Sequence, residues 1–209
     1  MAIAALSNFT VPLASDQSAS SQGLLMPKLK YRFRISFENF GSSGSTTELT
    51  KQVAEAARPS LKFADQKIEI YNSVIHYAGK PAWDPIAVKL RDDVTNAVTT
   101  LVGEQNQKQF DFFEQSSAAS AGDYKFTMRI EILDGGNGSS TPAALETWVC
   151  YGCYLVSTNY QDLKYSAQEA VMIDLSIQFD NAVQINPTNG IGSATTVQKF
   201  PGGTSVLGS

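Results

Sequence analysis

Period-two alternation of apolar and polar residues is the strongest constraint on what this chain can fold into. Tyr31, Phe33, Ile35 and Phe37 alternate with Lys30, Arg32, Arg34 and Ser36. Ile86, Val88 and Leu90 alternate with Ala87, Lys89 and Arg91. Tyr124, Phe126, Met128, Ile130 and Ile132 alternate with Lys125, Thr127, Arg129 and Glu131. Val171, Ile173, Leu175, Ile177 and Phe179 alternate with Met172, Asp174, Ser176, Gln178 and Asp180. Successive side chains of a strand point to opposite faces, so each run predicts a strand with one dry face and one largely polar face. Such strands bury their dry faces against each other in a sandwich or barrel.

Weaker strands fill the gaps. Leu61 and Phe63 share one phase and Ile68 and Ile70 the other, so a bulge or turn is expected near Ala64–Gln66. Val74–Tyr77 reads as a short strand ending at Gly79. Glu146–Ser157 is apolar on both faces, which suits a central strand or one covered on both sides. One segment breaks the pattern: Val94, Ala97, Val98, Leu101 and Val102 follow helical spacing, and Phe110 and Phe113 continue that face. This predicts a helix over about residues 93–114, with Asp92 or Asp93 as its cap and a possible break at Gly103. The expected fold is therefore mainly β: an antiparallel β-sandwich or barrel with one flanking α-helix.

The length of 209 residues supports one large β domain, read as 28–183. Residues 1–27 form an N-terminal arm rich in Ser, Ala and Gln, and 184–209 a C-terminal arm rich in Gly, Ser and Thr. Two readings of these arms stand: disorder, or segments that order on neighbouring subunits. Only 17% of residues are charged, and small polar residues take their place, which suits a protein covered by neighbours. The net charge of −4 argues against a general nucleic-acid binder, which needs a basic footprint. No apolar run reaches 18 residues, so no membrane-spanning helix is expected. The N-terminus has no Lys or Arg before Lys28, so it lacks the charged region of a signal peptide, and use without secretion by that route is expected.

The residues offer little to a catalyst. His76 is the only histidine, which removes a histidine-based metal cluster and leaves one candidate base, and no serine sits in a Gly-x-Ser-x-Gly turn. A structural role is expected for it. Cys150-Tyr151-Gly152-Cys153 has redox-motif spacing, but lies within an apolar strand rather than at a helix N-terminus. Residues i and i+3 of a regular strand face opposite ways roughly 10 Å apart, beyond the reach of a disulfide. Two buried thiols are expected, with no metal and no cofactor. Asp134–Gly138 reads as a turn rather than a cation loop. The stripe Lys28, Lys30, Arg32 and Arg34 reads as a solvated face or one paired with carboxylates across the sheet; nucleic-acid binding is the weaker alternative, because the aromatic residues of that strand point the other way.

Asn72–Asp93 (NSVIHYAGKPAWDPIAVKLRDD) resembles the tail-tube proteins of contractile-tailed bacteriophages. A short strand ends in Ala-Gly, an aromatic-acidic turn follows, and an alternating strand ends in acidic residues before a helix. Leu145–Val183 matches as well, with Trp148 and Gly152 in one strand and Met172–Phe179 as the alternating final strand, and Pro59-Ser60-Leu61 also fits. The resemblance covers residues 28–183. It implies six copies joined edge to edge in a ring, and rings stacked into a hollow tube. That tube sits inside a contractile sheath of the virion, meets baseplate and tail-terminator proteins, and passes DNA without holding it. Inner tubes of type VI secretion and other contractile injection systems share the fold, so a tube, baseplate or terminator role in such a machine is the alternative. A carbohydrate-binding β-sandwich is a third reading, which the Gly/Ser loops disfavour. A pore for DNA should avoid a basic lining, so the polar face of Asp174, Ser176, Gln178 and Asp180 is the candidate lumen lining; an outer solvated face is the competing reading.

Overall fold

The structure, a computed structural model, describes residues 27–42, 45–135, 142–166, 168–186 and 190–193. Most of both expected arms lies outside these residues. The chain divides at Arg32 into two units. In the first, Arg32 N donates to Leu29 O at 3.2 Å, and the Arg32 guanidinium stands over the Tyr31 ring.

In the second unit the alternating runs form strands. In chain order they are β1 (Phe33–Glu38), α1 (Thr47–Gln52), β2 (Val53–Ala56), β3 (Leu61–Ile70), β4 (Ser73–Trp83), β5 (Ile86–Arg91) and α2 (Ala97–Gln109). Then come β6 (Phe110–Asp111), β7 (Ser116–Ser117), α3 (Ala121–Tyr124), β8 (Phe126–Leu133), β9 (Ala144–Asn159), β10 (Met172–Gln178) and β11 (Asn181–Asn186). The main sheet runs β1-β8-β9-β10-β5-β2, and β11 also pairs with β9. All of its pairings are antiparallel.

One bent ribbon joins its two halves. The first part of β9 pairs with β8 and β11, and its last part pairs with β10. The register passes from Gln178↔Tyr154 to Asn181↔Tyr151 without a slip, so β10 and β11 are one strand kinked opposite the kink in β9. Gly152 makes the corner at φ +67°, and Asp180 N donates to Tyr151 O at 3.0 Å. The Asp180 side chain fills the space a side chain at 152 would need: a Cβ there would lie 2.7 Å from Asp180 Cγ. The corner also resets the alternation, which corrects the expectation for the cysteines. Cys150 and Cys153 both face the core instead of opposite faces, and Cys153 Sγ donates to Cys150 O at 3.3 Å. The two thiols are free and buried, as expected.

The dry faces meet as predicted. Ile35, Phe37, Ile86, Val88, Leu90, Phe126, Met128, Ile130, Trp148, Ile173, Leu175 and Ile177 form one buried cluster, joined by Leu49 of α1 and by Val98, Leu101 and Val102 of α2. Phe40 packs edge-on to Phe126 with ring centres 4.9 Å apart. The segment Glu146–Cys150 is buried throughout, whereas Val156 beyond the corner is exposed.

The helix differs from its expectation in extent. It runs unbroken through Gly103 and ends at Gln109. Asp93 Oδ1 accepts from Thr95 N at 3.0 Å, in the turn ahead of the helix, and Asn96 takes the cap position in a left-handed conformation. At the other end Asp111 Oδ1 accepts from Phe113 N (2.9 Å) and Glu114 N (3.2 Å), which turns the chain out of the helix. Phe113 is thereby exposed instead of continuing the apolar face.

Candidate assembly interface

The β3–β4 ribbon is the feature that the core does not absorb. Among the described residues these two strands pair only with each other, and β4 continues through Gly79 and Pro81 rather than ending there. The register slips between Phe63 and Asp65, where the change of phase predicted it. Gly79 permits a close approach there, since a Cβ would lie 2.9 Å from Ala64 O. Cross-strand pairs sort the side chains by face. Ile68↔Ile75, Gln66↔Tyr77 and Ile70↔Ser73 share one face; Lys67↔His76 and Glu69↔Val74 share the other. Ile68, Ile70, Ile75 and Tyr77 are each about half exposed, and Tyr71 at the tip is 99% exposed at φ +48°. An isolated two-stranded hairpin is marginally stable in water, and this one exposes a whole apolar face.

Sheet edges are treated unequally. Gln109 of α2 covers the edge of β9 at Leu155 with two hydrogen bonds of 2.8 and 2.9 Å. Beside β11, Gln184 N donates to Ile191 O at 2.7 Å. β1 pairs only with β8, and β2 only with β5, so among the described residues their second edges carry no strand. Buried Gln105 ties loops to the same helix: its side chain accepts from Gly41 N at 3.0 Å and donates to Tyr124 O at 2.7 Å.

Three of the four candidate lining residues share a surface. Asp174, Ser176 and Gln178 alternate along β10 on the side away from the core, with Asp174 opposite Lys89 and Ser176 opposite Ala87. Asp174 Oδ2 accepts from Gln161 Nε2 at 2.9 Å, and Gln178 Nε2 donates to Trp83 O at 3.1 Å. Lys89 pairs with Glu55 of β2 at 2.7 Å. Glu55 raises the lysine's pKa, with a smaller contribution from Asp174, so the charge of Lys89 is offset, while Arg91, two residues on, is exposed on the same face. Asp180 stands apart, at the corner, in a 2.6 Å ion pair with Lys125. On the other half of the sheet Arg34 pairs with Glu131 across strands at 2.6 Å, which is the carboxylate-paired alternative at this one member of the basic stripe.

The reactive side chains are engaged structurally. Burial pushes the Cys150 and Cys153 thiols up to about 12, so neither is a ready nucleophile. His76 Nδ1 lies 3.0 Å from an Asp65 carboxylate oxygen on the exposed hairpin. Among the described residues no group of three or more His, Cys, Asp or Glu could hold a metal ion, and no helix is long and apolar enough to cross a membrane. The edge-covering role of Gln109 and the exposed hairpin face carried no signal in periodicity, because both depend on what lies beside the strand.

No known family profile and no curated protein matches this sequence. Solved structures do. A chain of the anti-feeding prophage tube-terminating cap matches at TM-score 0.57 and 11% identity, over 80% of this chain and 97% of that one. A chain of the sheath/tube terminator of the extracellular contractile injection system PVC, in its extended state, matches at TM-score 0.55 and 12% identity, over 78% and 99%. A chain of the PVC sheath–tube complex, also extended, matches at 0.50 and 12%, over 76% and 90%. At such identities the likeness concerns the fold, and it bears out the resemblance at that level: this chain has a tail-tube-like fold, an antiparallel β-sandwich with a flanking helix.

Proposed function

We propose that this chain is a structural subunit, not an enzyme, that forms stacked hexameric rings of the inner tail tube of a contractile phage particle. The observation that carries the reading is the β3–β4 hairpin. A protein of tube-like fold keeps an apolar face out of water at one place only if a neighbour covers it, because half-exposed Ile68, Ile70, Ile75 and Tyr77 would otherwise drive non-specific association. The edges of β1 and β2 that carry no strand among the described residues support the same reading, since a closed ring removes sheet edges. In this assembly the face of Asp174, Ser176 and Gln178 lines the lumen. Its lysine is held by Glu55, which weakens its grip on passing DNA. The sheath, the baseplate and a tail terminator are the partners, and the virion tail is the location.

A second reading is a tube-terminating ring, favoured by the fold likeness to the prophage cap and the PVC terminator. Electron microscopy of the purified protein separates the readings. Extended hollow tubes with sixfold end-on views are expected for a tube subunit, and single or double rings for a terminator. A strict monomer at high concentration, with and without tail components, would overturn both.

A further inference from the structure

We propose that Cys150 and Cys153 are an oxidisable pair, closing into an intramolecular disulfide that staples the corner of β9. On a regular strand residues three apart face opposite ways, roughly 10 Å apart, and no disulfide reaches that far. Here the strand is not regular. Cys150 stands opposite Met128 and Cys153 opposite Phe126, so three steps along β9 match only two along β8. Two steps of strand span ~6.7 Å, inside the limit of ~7 Å between the Cα atoms of a disulfide. Direction agrees with distance. Gly152, at φ +67°, resets the alternation, and both side chains enter the same core, fully buried. Cys153 Sγ donates to Cys150 O at 3.3 Å, so its sulfur already lies against the other cysteine. Burial is the main cause of the raised Cys150 pKa, and the neighbouring Cys153 is the second.

The oxidant is a low-molecular-weight disulfide such as oxidised glutathione. One cysteine thiolate attacks a glutathione sulfur, forms a mixed disulfide and displaces one glutathione thiolate. The second cysteine thiolate attacks the protein sulfur of that mixed disulfide and displaces the other. Two protein thiols are thereby oxidised to one disulfide, the glutathione disulfide is reduced to two thiols, and the two thiol protons end on the glutathiones. Buried thiols supply almost no thiolate in the closed fold, so the exchange takes place when the corner opens or before it forms. The product closes a small ring, Cys150 to Cys153, around Gly152. That ring lies where the β9 ribbon passes from β8 and β11 to β10, so the link holds the bend that joins the two halves of the sheet. The pair stays as thiols in a reducing compartment and closes in an oxidising one.

The test needs no substitution, because these are the chain's only cysteines. Full-length protein is equilibrated with fixed ratios of oxidised to reduced glutathione, once in urea just below its unfolding transition, where the corner opens and recloses, and once in full denaturant. Starting from both the reduced and the oxidised chain establishes that equilibrium is reached. Acid quenching, alkylation and mass spectrometry then count disulfide, mixed disulfide and free thiol. Bond formation and folding are linked reciprocally, so a fold that holds the two sulfurs within reach favours the bond by the factor that the bond favours the fold. At one glutathione ratio, disulfide over dithiol should be about tenfold higher in the folded protein than in denaturant, and the oxidised protein should melt about 4–8 °C above the reduced one. An equal or lower ratio in the folded protein, an oxidised chain that melts below the reduced one, or a folded product carrying glutathione on one cysteine overturns the proposal.

Discussion

The side-chain amide of Gln109 makes both backbone hydrogen bonds of Leu155: Oε1 accepts from the N–H at 2.8 Å, and Nε2 donates to the C=O at 2.9 Å. A helix side chain thus takes the place of a neighbouring strand at one point of the β9 edge. Removing it leaves two partly buried backbone groups unpaired, at about 1–3 kcal/mol for such a loss. Gln109→Leu should lower the stability read by urea unfolding by about that amount, and Gln109→Glu should too, since a carboxylate keeps the acceptor but loses the donor.

Gly152 is expected to be among the least replaceable residues. Alanine there would meet both the left-handed conformation, about 1–2 kcal/mol, and the Asp180 side chain that fills its place. Gly152→Ala should destabilise by about 2–4 kcal/mol in denaturant titrations. If the Asp180 contact is the larger part, Asp180→Ala in the same chain should recover much of the loss, which a double-mutant cycle measures.

The cysteines should be silent in the folded protein. With both thiols pushed up to about 12 by burial, almost none is thiolate at neutral pH. Ellman's reagent at about pH 8 should react with neither thiol in the folded protein and with both in guanidinium, the free-thiol value in model peptides being ~8.5. Because the folded pKa is raised, this burial stabilises fully below the unfolded value and loses its contribution as pH rises through the folded one.

The turn after α2 should respond to acid. The Asp111 carboxylate is held below the ordinary range, first by the Glu114 N–H, then by the Phe113 N–H and the Gln107 side chain. A lowered folded pKa means that the contribution is complete above the unfolded value, about 3.9, and disappears as pH falls through the folded one. The amide shifts of Phe113 and Glu114 in NMR should stay constant from neutral pH to about pH 4.5 and move only below it. Asp111→Ala should remove that acid transition and release the turn at every pH.

Much of the fold was legible because alternation is a local property. A run such as Val171–Phe179 reports its dry face whatever its partner, and Met172–Gln178 indeed forms β10 with Ile173, Leu175 and Ile177 buried. The slip between Phe63 and Asp65 was legible for the same reason, since a bulge shifts the phase of the pattern. The end of α2 was not. Phe113 keeps helical spacing, but a carboxylate two residues earlier takes its amide and turns the chain away.

The candidate lining shows the same division. Asp174, Ser176 and Gln178 share a face because two-residue spacing on one strand requires it. Asp180 has the same spacing, yet it stands at the corner beside Lys125, because the strand kinks after Gln178. The sequence by itself determined which residues are dry, which alternate, and that the chain offers one histidine and two cysteines to chemistry. Tertiary structure alone decided that both cysteines share the core, that Gln109 covers an edge, and that the apolar face of β3–β4 stays half exposed among the described residues. The physical reason is range. Burial pattern is written in neighbours along the chain, whereas a corner, a covered edge or an uncovered face is set by residues tens of positions away.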